Sequence, residues 1–133
     1  MADTVTSQTI QDGEKTAILK FTNESDGSGE ASVKKVDVSA LASNSAGDAC
    51  SSVSISRIYW ACRGMGVDIE FDASTNVLAI PLPADSTGDE YYDLFTGIPN
   101  NAGSGVTGDI DFTTVGHSNG DAYSIILVLN KNY

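Results

Sequence analysis

The feature that most constrains the fold is a period-two alternation of apolar and polar residues, repeated in short runs along the chain. The clearest run is Val67–Asp72, in which three apolar residues alternate with three carboxylates. Successive side chains of a strand point to opposite faces, so one face of this strand is predicted to be buried and the other solvated. Helical periodicity is almost absent. The pattern predicts an all-β fold of antiparallel sheets.

Six further runs have the length and composition of strands, and turn-forming Gly, Asn, Asp and Ser residues separate them. The seven predicted strands are Ala17–Thr22, Val33–Val38, Val53–Ala61, Val67–Asp72, Val77–Leu82, Ile110–Val115 and Tyr123–Leu129. With 133 residues in all, the chain has the size of one domain. We predict a single antiparallel β-sandwich over residues 12–133, either jelly-roll-like or immunoglobulin-like. Its predicted core residues are Val67, Ile69, Phe71, Ile110, Phe112, Ile125 and Leu127.

The segments outside these strands carry three further expectations. Residues 1–11 are polar, and we expect a flexible N-terminal arm that is free to order on a neighbouring molecule. Asn23–Glu30 is rich in turn residues and predicts a hairpin that makes the first two of the seven strands neighbours. Ala84–Gly105 is predicted to be an irregular loop that covers the core or forms a binding surface. The apolar residues of that loop are Tyr91, Tyr92, Leu94, Phe95 and Ile98.

The charge balance constrains the partners. Eighteen acidic and seven basic residues give a net charge of −11, which disfavours binding to nucleic acids and anionic membranes and favours a protein partner. Met1–Gln8 lacks the basic and apolar regions of a signal peptide, and no run is long enough to span a bilayer, so synthesis in a cytoplasm is expected. Ile125–Leu129 is apolar on both faces, which indicates a strand in the middle of a sheet or under another subunit.

The two cysteines are predicted to be free thiols. Cys50 and Cys62 flank the predicted strand Val53–Ala61. At roughly 3.3 Å per residue, an extended strand holds its two ends too far apart for a disulfide.

Two motifs resemble catalytic or cofactor sites but have simpler explanations. Gly103–Gly108 has the glycine spacing of a dinucleotide-binding loop, but a strand-like run follows it where that loop requires a helix. His117, Ser118 and Asp121 have the residue types of a catalytic triad. Because they lie within one Gly-rich turn, a hairpin tip is the more economical interpretation.

Oxygen-rich segments could bind calcium or form a glycosidase-like carboxylate pair. The calcium candidates are the Asp26–Glu30 turn and the alternating Asp68, Glu70 and Asp72, which are more typical of a solvated strand face. Candidate glycosidase carboxylates are Asp85, Asp89, Glu90 and Asp93. None of these sets forms a complete motif. We therefore assign no catalytic, cofactor-binding or metal-binding residue and expect a protein that is not an enzyme.

Segments along most of the chain resemble small virion structural proteins of tailed bacteriophages of aquatic bacteria. The segments that carry the resemblance are Asp12–Lys20, Thr22–Glu30, Val33–Ser39, Ile58–Trp60, Gly64–Met65, Phe71–Ala73, Gly97–Gly103, Thr107–Ile110, Thr113–Gly116 and Gly120–Leu127. These motifs are turns and strand edges, so the resemblance transfers no functional residue.

The resemblance implies a capsid decoration protein that is made in the host bacterial cytoplasm. Such a protein binds the major capsid protein on the outside of the virion and stabilises the shell. An alternative is a tail-fibre or host-recognition module that uses the Tyr91–Phe95 loop. We also expect a homo-oligomer, with a trimer as the specific hypothesis, because local threefold positions on capsids would multiply a weak contact.

Overall fold

The computed structural model describes residues 3–92, 97–100, 102 and 104–133. Within them the chain forms nine strands and one short 3-10 turn, Val38–Ala40, which Asp37 caps by accepting a hydrogen bond from Ser39 N. The strands are β1 Thr4–Asp12, β2 Thr16–Glu24, β3 Val33–Val36, β4 Ser52–Arg63, β5 Gly66–Phe71, β6 Val77–Leu82, β7 Thr87–Tyr91, β8 Ile110–Val115 and β9 Ala122–Asn132.

The strands form two antiparallel sheets, which confirms the predicted β-sandwich. One sheet has the order β1-β2-β9-β4-β7 and the other has the order β3-β8-β5-β6. The pairs β2–β9, β3–β8, β4–β7 and β5–β6 are nested one inside the next. This is the order of a long hairpin rolled into two sheets, the jelly roll. Of the two sandwich types expected, the jelly roll is therefore the one that forms.

The core lies between the sheets and consists of the inward residues of the alternating strands. All seven residues predicted for the core are at most 2% exposed. Aromatic rings link the two layers: Phe112 of β8 meets Phe21 and Tyr123 edge-to-face, with ring centroids 5.3 and 5.8 Å apart. Cys50 and Cys62 are buried and free, as predicted.

The N-terminal segment differs from the prediction of an uncommitted arm. Residues 4–12 form β1, which pairs with β2 along its whole length, with a bulge between Thr9 and Gln11. Eight of its nine residues are exposed, so β1 is an edge strand that covers little of the core. An edge strand with both faces in water needs no apolar alternation, and this is why the sequence pattern did not reveal it.

Two connections also differ from the sequence predictions. The first two predicted strands are not neighbours, because β2 and β3 lie in different sheets and the segment between them crosses from one layer to the other. Turn-forming residues favour a change of direction but do not specify which sheet the next strand joins. In Ala84–Gly105, residues Thr87–Tyr91 form the edge strand β7 against β4, and Ile98 bridges Ile55. Tyr92 and Ile98 pack on the core, whereas Leu94 and Phe95 lie outside the described residues.

Candidate binding face

The outer side of the five-stranded sheet carries an aliphatic and aromatic surface. Alternation along β9 turns Ile125, Leu127 and Leu129 into the core and leaves Ile126 and Val128 half-buried on the outer side. In the sheet register Ile126 lies between Lys20 and Tyr59, and Val128 lies between Ile18 and Arg57. We call this surface the aromatic face and define it as Ile18, Lys20, Arg57, Tyr59, Tyr91, Ile126 and Val128.

Three side chains at the β4–β7 side of the aromatic face contact one another. The rings of Tyr59 and Tyr91 are edge-to-face with centroids 6.0 Å apart, and the Tyr59 hydroxyl donates to the Tyr91 hydroxyl at 3.4 Å. The Arg57 guanidinium lies 4.8 Å from the Tyr91 ring centroid, within cation–π range. These contacts hold three large side chains in place on a rigid sheet, although Tyr91 is 51% exposed.

The two phenols have different acidities because of their neighbours. Hydrogen bonds with Tyr59 and Asp89 raise the pKa of Tyr91 to about 12. The hydrogen bond with Tyr91, together with Arg57, lowers the pKa of Tyr59. A phenol hydroxyl can donate or accept a hydrogen bond, so both side chains offer a polar group to a partner.

The two outer faces of the sandwich differ in charge. Lys20 and Arg57 lie on the aromatic face, with Asp89 of β7 beside them. The outer side of the four-stranded sheet instead has carboxylates at Asp68 and Glu70 on β5, at Asp72 just after β5, and at the buried Asp111 on β8. Although the chain as a whole is strongly negative, the aromatic face is therefore a locally less acidic surface. The aromatic face also has a shallow depression of about 220 Å³ between Tyr59, Ile126 and Gly88.

The residues that resemble a catalytic triad lie in one turn, where Ser118 and Asp121 contact each other and His117 contacts Thr114 instead. His117 Nδ1 lies 3.1 Å from Thr114 Oγ1, and its ring fills the space that a Cβ on Gly29 would need. Asp121 Oδ2 accepts a hydrogen bond from Ser118 N at 2.8 Å, which closes the turn. These contacts fix the connection between β8 and β9. Because the two strands lie in different sheets, this turn crosses between the layers, and the predicted hairpin tip is wrong.

The glycine motif has a structural role at the described positions. Gly105 and Gly108 have positive φ angles, and a Cβ would lie 2.0 Å from Ser74 Oγ at the first and 2.2 Å from Ser51 O at the second. Gly103 lies outside the described residues. Strand β8 follows the motif, so no helix N-terminus is available there to bind phosphates.

Most carboxylates considered for calcium are hydrogen-bonded to protein groups. Glu70 Oε1 accepts from Thr113 Oγ1 at 2.8 Å, and Asp72 Oδ2 accepts from Thr107 Oγ1 at 2.6 Å. Asp26 Oδ1 accepts from Ser28 N at 3.0 Å, and the Glu30 side chain turns into the interior. Across the described ranges no three Asp, Glu, His or Cys residues are arranged to hold a metal ion.

The three described carboxylates among those considered for glycoside hydrolysis are not gathered in a cleft. Asp85 Oδ1 accepts from Gly64 N at 2.7 Å, and Asp89 and Glu90 are exposed on the edge strand β7. Asp93 lies outside the described residues.

A depression of about 530 Å³ lies instead beside the last strand, between Glu14, Asn44 and Tyr133. Beside it, the Lys131 ammonium donates to Asp12 Oδ1, Gly13 O and Ala42 O at 2.7 to 2.8 Å.

Comparisons with protein-family models, curated proteins and solved structures found no match to this chain. In the part of the chain that the structure describes, no helix has the length and apolarity that crossing a membrane requires. The geometry of the aromatic face is therefore the main structural guide to function.

Proposed function

We propose that this chain is a non-enzymatic structural protein of a bacteriophage virion, which decorates the outside of the capsid and stabilises the shell. The observation that carries the proposal is the aromatic face, where Tyr59, Tyr91 and Arg57 are held together on a rigid sheet. Tyr and Arg are enriched among the residues that dominate protein–protein binding energy. Ordered side chains also lose less conformational entropy when a partner binds.

The distribution of charge supports a protein partner. A net charge of −11 makes free copies repel one another, while the aromatic face presents Lys20 and Arg57 beside apolar Ile126 and Val128. A partner with an apolar patch and nearby carboxylates would complement this surface. In the proposal this partner is the major capsid protein.

The fold and the sequence resemblance support the virion assignment by analogy. Jelly rolls occur in viral capsid proteins and in lectins, so the fold is compatible with a place in a virion but does not require one. The segments that resemble phage structural proteins span strands of both sheets, from Asp12–Lys20 to Gly120–Leu127. A homotrimer at local threefold positions would raise the avidity of each contact through effective concentration.

Quantitative mass spectrometry of purified virions of the phage that encodes the chain tests this proposal. A decoration protein is expected in a copy number close to that of the major capsid protein. A few copies per particle would instead support the tail-fibre or host-recognition alternative, and absence from the particle would contradict both.

A further inference from the structure

A set of charged and polar side chains is buried at one end of the core, where charged residues are rare. Asn23 occupies an inward position of β2, in the row that also contains Ala17, Leu19 and Phe21, and it is 2% exposed. The side chains of Glu30 and Lys35 are each only 6% exposed. Such charged groups are almost never fully buried unless they are paired.

The Glu30 carboxylate bridges an amine and an amide. Its Oε2 forms an ion pair with Lys35 Nζ, and its Oε1 accepts from Asn23 Nδ2 at 2.9 Å. The Tyr123 hydroxyl also donates to Oε1, at 2.6 Å, and fixes the orientation of the carboxylate. The Lys35 amine, which is a nucleophile, and the Asn23 carboxamide therefore lie in one water-poor site. The Glu30 carboxylate lies between them and can exchange protons with both.

The amide of Asn23 is incompletely hydrogen-bonded. Its Nδ2 donates to Glu30 and to Asp3 Oδ2, the second at 3.1 Å, whereas its Oδ1 is buried without a hydrogen-bond partner among the described residues. Buried polar atoms in proteins are nearly always paired, so an unpaired one calls for a functional explanation.

We propose that Lys35 and Asn23 form an intramolecular amide (isopeptide) bond, with Glu30 as the group that transfers protons. The bond joins Lys35 Nζ to Asn23 Cγ and releases the side-chain nitrogen of Asn23 as ammonia. It covalently links β2 in the five-stranded sheet to β3 in the four-stranded sheet.

The reaction begins with a proton transfer within the ion pair. Lys35 gives a proton to Glu30, which leaves a neutral amine and a neutral acid. The amine lone pair then attacks Asn23 Cγ, and the carbonyl electron pair moves to Oδ1. No oxidant or other reactant is required.

The second stage releases the leaving group. Glu30 gives its proton to Nδ2 and takes one from Nζ. The carbonyl then re-forms as the Cγ–Nδ2 bond breaks. The departing ammonia takes the remaining proton from Glu30, so the net products are the amide and an ammonium ion. The carboxylate is regenerated, and the N–H of the new amide replaces the Lys35 ammonium as a donor to it.

The mass of the intact, denatured wild-type chain tests the proposal. We expect a mass lower than that of the sequence by one ammonia molecule. Two variants should keep the full mass expected for their sequences. Lys35→Arg retains the positive charge and the ion pair but lacks the nucleophile. Glu30→Gln retains a similar shape but cannot exchange protons. A crosslink that closes this short loop should also raise the Tm of the wild type above that of Lys35→Arg by about 10 °C.

Peptide mapping locates the bond. Trypsin should yield a branched peptide that joins residues 21–34 to residues 35–57, because a modified Lys35 blocks cleavage after that residue. Asn119 precedes Gly120 and could lose ammonia by forming a succinimide, so Asn119→Ala serves as the control and should retain the mass deficit.

A wild-type chain at full mass, a deficit that maps to residues 119–120, or an equal deficit in Lys35→Arg would each overturn the proposal. A crosslink in Glu30→Gln would overturn the role of Glu30. The wild-type measurement decides the main question even if a variant fails to fold.

Discussion

Asp109 and Asp111 lie on either side of Ile110, and both are 4% exposed, yet their electrostatic surroundings are opposite. Asp109 forms a 2.9 Å ion pair with Lys34 and accepts from Val38 N at 2.9 Å. Asp111 accepts from Asn76 Nδ2 at 3.0 Å through one oxygen, while its other oxygen is buried without a hydrogen-bond partner among the described residues. Burial and the nearby Asp72 and Glu70 raise the pKa of Asp111.

These surroundings predict opposite effects for two matched substitutions. Asp111→Asn should raise the free energy of unfolding at pH 7 by about 1 kcal/mol, because it removes a buried charge near other carboxylates. Asp109→Asn should lower it by about 1 kcal/mol, because it breaks the ion pair with Lys34. Urea unfolding of both variants measures the difference, and a loss of stability in Asp111→Asn would contradict this account.

The pH dependence of the Asp111 effect follows from its raised pKa. Between the ordinary value of 3.8 and the higher value in the folded state, the folded chain binds more protons than the unfolded chain. The contribution of Asp111 therefore favours folding at low pH and is lost as the pH rises through the folded pKa. The advantage of Asp111→Asn should shrink as the pH falls toward 3.8, and an advantage that is independent of pH would exclude this cause.

Lys131 is predicted to be a major contributor to stability at the end of β9. Its side chain is fully buried, and its three hydrogen bonds tie β9 to the β1–β2 turn and to Ala42. Lys131→Met should lower the free energy of unfolding by about 3 kcal/mol, since it leaves Asp12 and two carbonyl groups without their donor. Exposed Lys15 provides the control, and Lys15→Met should change stability by less than about 0.5 kcal/mol. Equal effects of the two substitutions would contradict the prediction.

The same ammonium should make the fold sensitive to alkali. Burial acts to lower the pKa of Lys131, but the interactions with Asp12 and Tyr133 outweigh it and raise that pKa above 10.5. Its contribution is therefore complete below 10.5 and is lost as the pH rises through the folded value. Thermal unfolding across this range should show a smaller alkaline loss in Lys131→Met than in the wild type.

Both cysteines should be unreactive in the folded chain. Burial raises the pKa of the Cys50 and Cys62 thiols, which reduces the thiolate available for reaction. A thiol reagent should label neither residue rapidly in the native state and should label both after denaturation without a reductant. Failure to label both after denaturation would show that they are oxidised.

The proposed trimer can be tested on the isolated chain. Light scattering at micromolar concentration should give three times the chain mass if apolar contacts offset the repulsion between acidic copies. A monomer under these conditions would contradict self-association before capsid binding.

Strands whose apolar and polar residues alternate could be predicted from the sequence. Strands with both faces in water could not. Val67–Asp72 and Tyr123–Leu129 were identified because one face of each strand is buried in the core. Thr4–Asp12 and Thr87–Tyr91 are edge strands with mostly exposed residues, so their polar sequences resemble those of loops. Edge strands are stabilised by backbone hydrogen bonds, which leave little trace in the side-chain pattern.

The two candidate sites depend on contacts between residues that are distant in the sequence. Because Ile125–Leu129 is apolar on both faces, the sequence did indicate an outer apolar surface. The contact between Tyr59 and Tyr91 depends on β7, which the sequence did not reveal. In the sequence, Glu30 is typical of a solvated turn and Lys35 is typical of a solvated strand end. Their burial results from the crossing between sheets, which local propensity does not encode.

Binding to capsids tests the central claim most directly. Purified wild-type chain and three variants are sedimented with capsid particles that lack the protein, from the phage proposed to encode it. Tyr59→Ala and Tyr91→Ala alter the aromatic face, and Leu78→Ser alters a 52% exposed residue on the opposite sheet. We expect each tyrosine variant to weaken binding by about 100-fold and Leu78→Ser to bind like the wild type. Unchanged binding of both tyrosine variants, or an equal loss in Leu78→Ser, would contradict the assignment of the aromatic face.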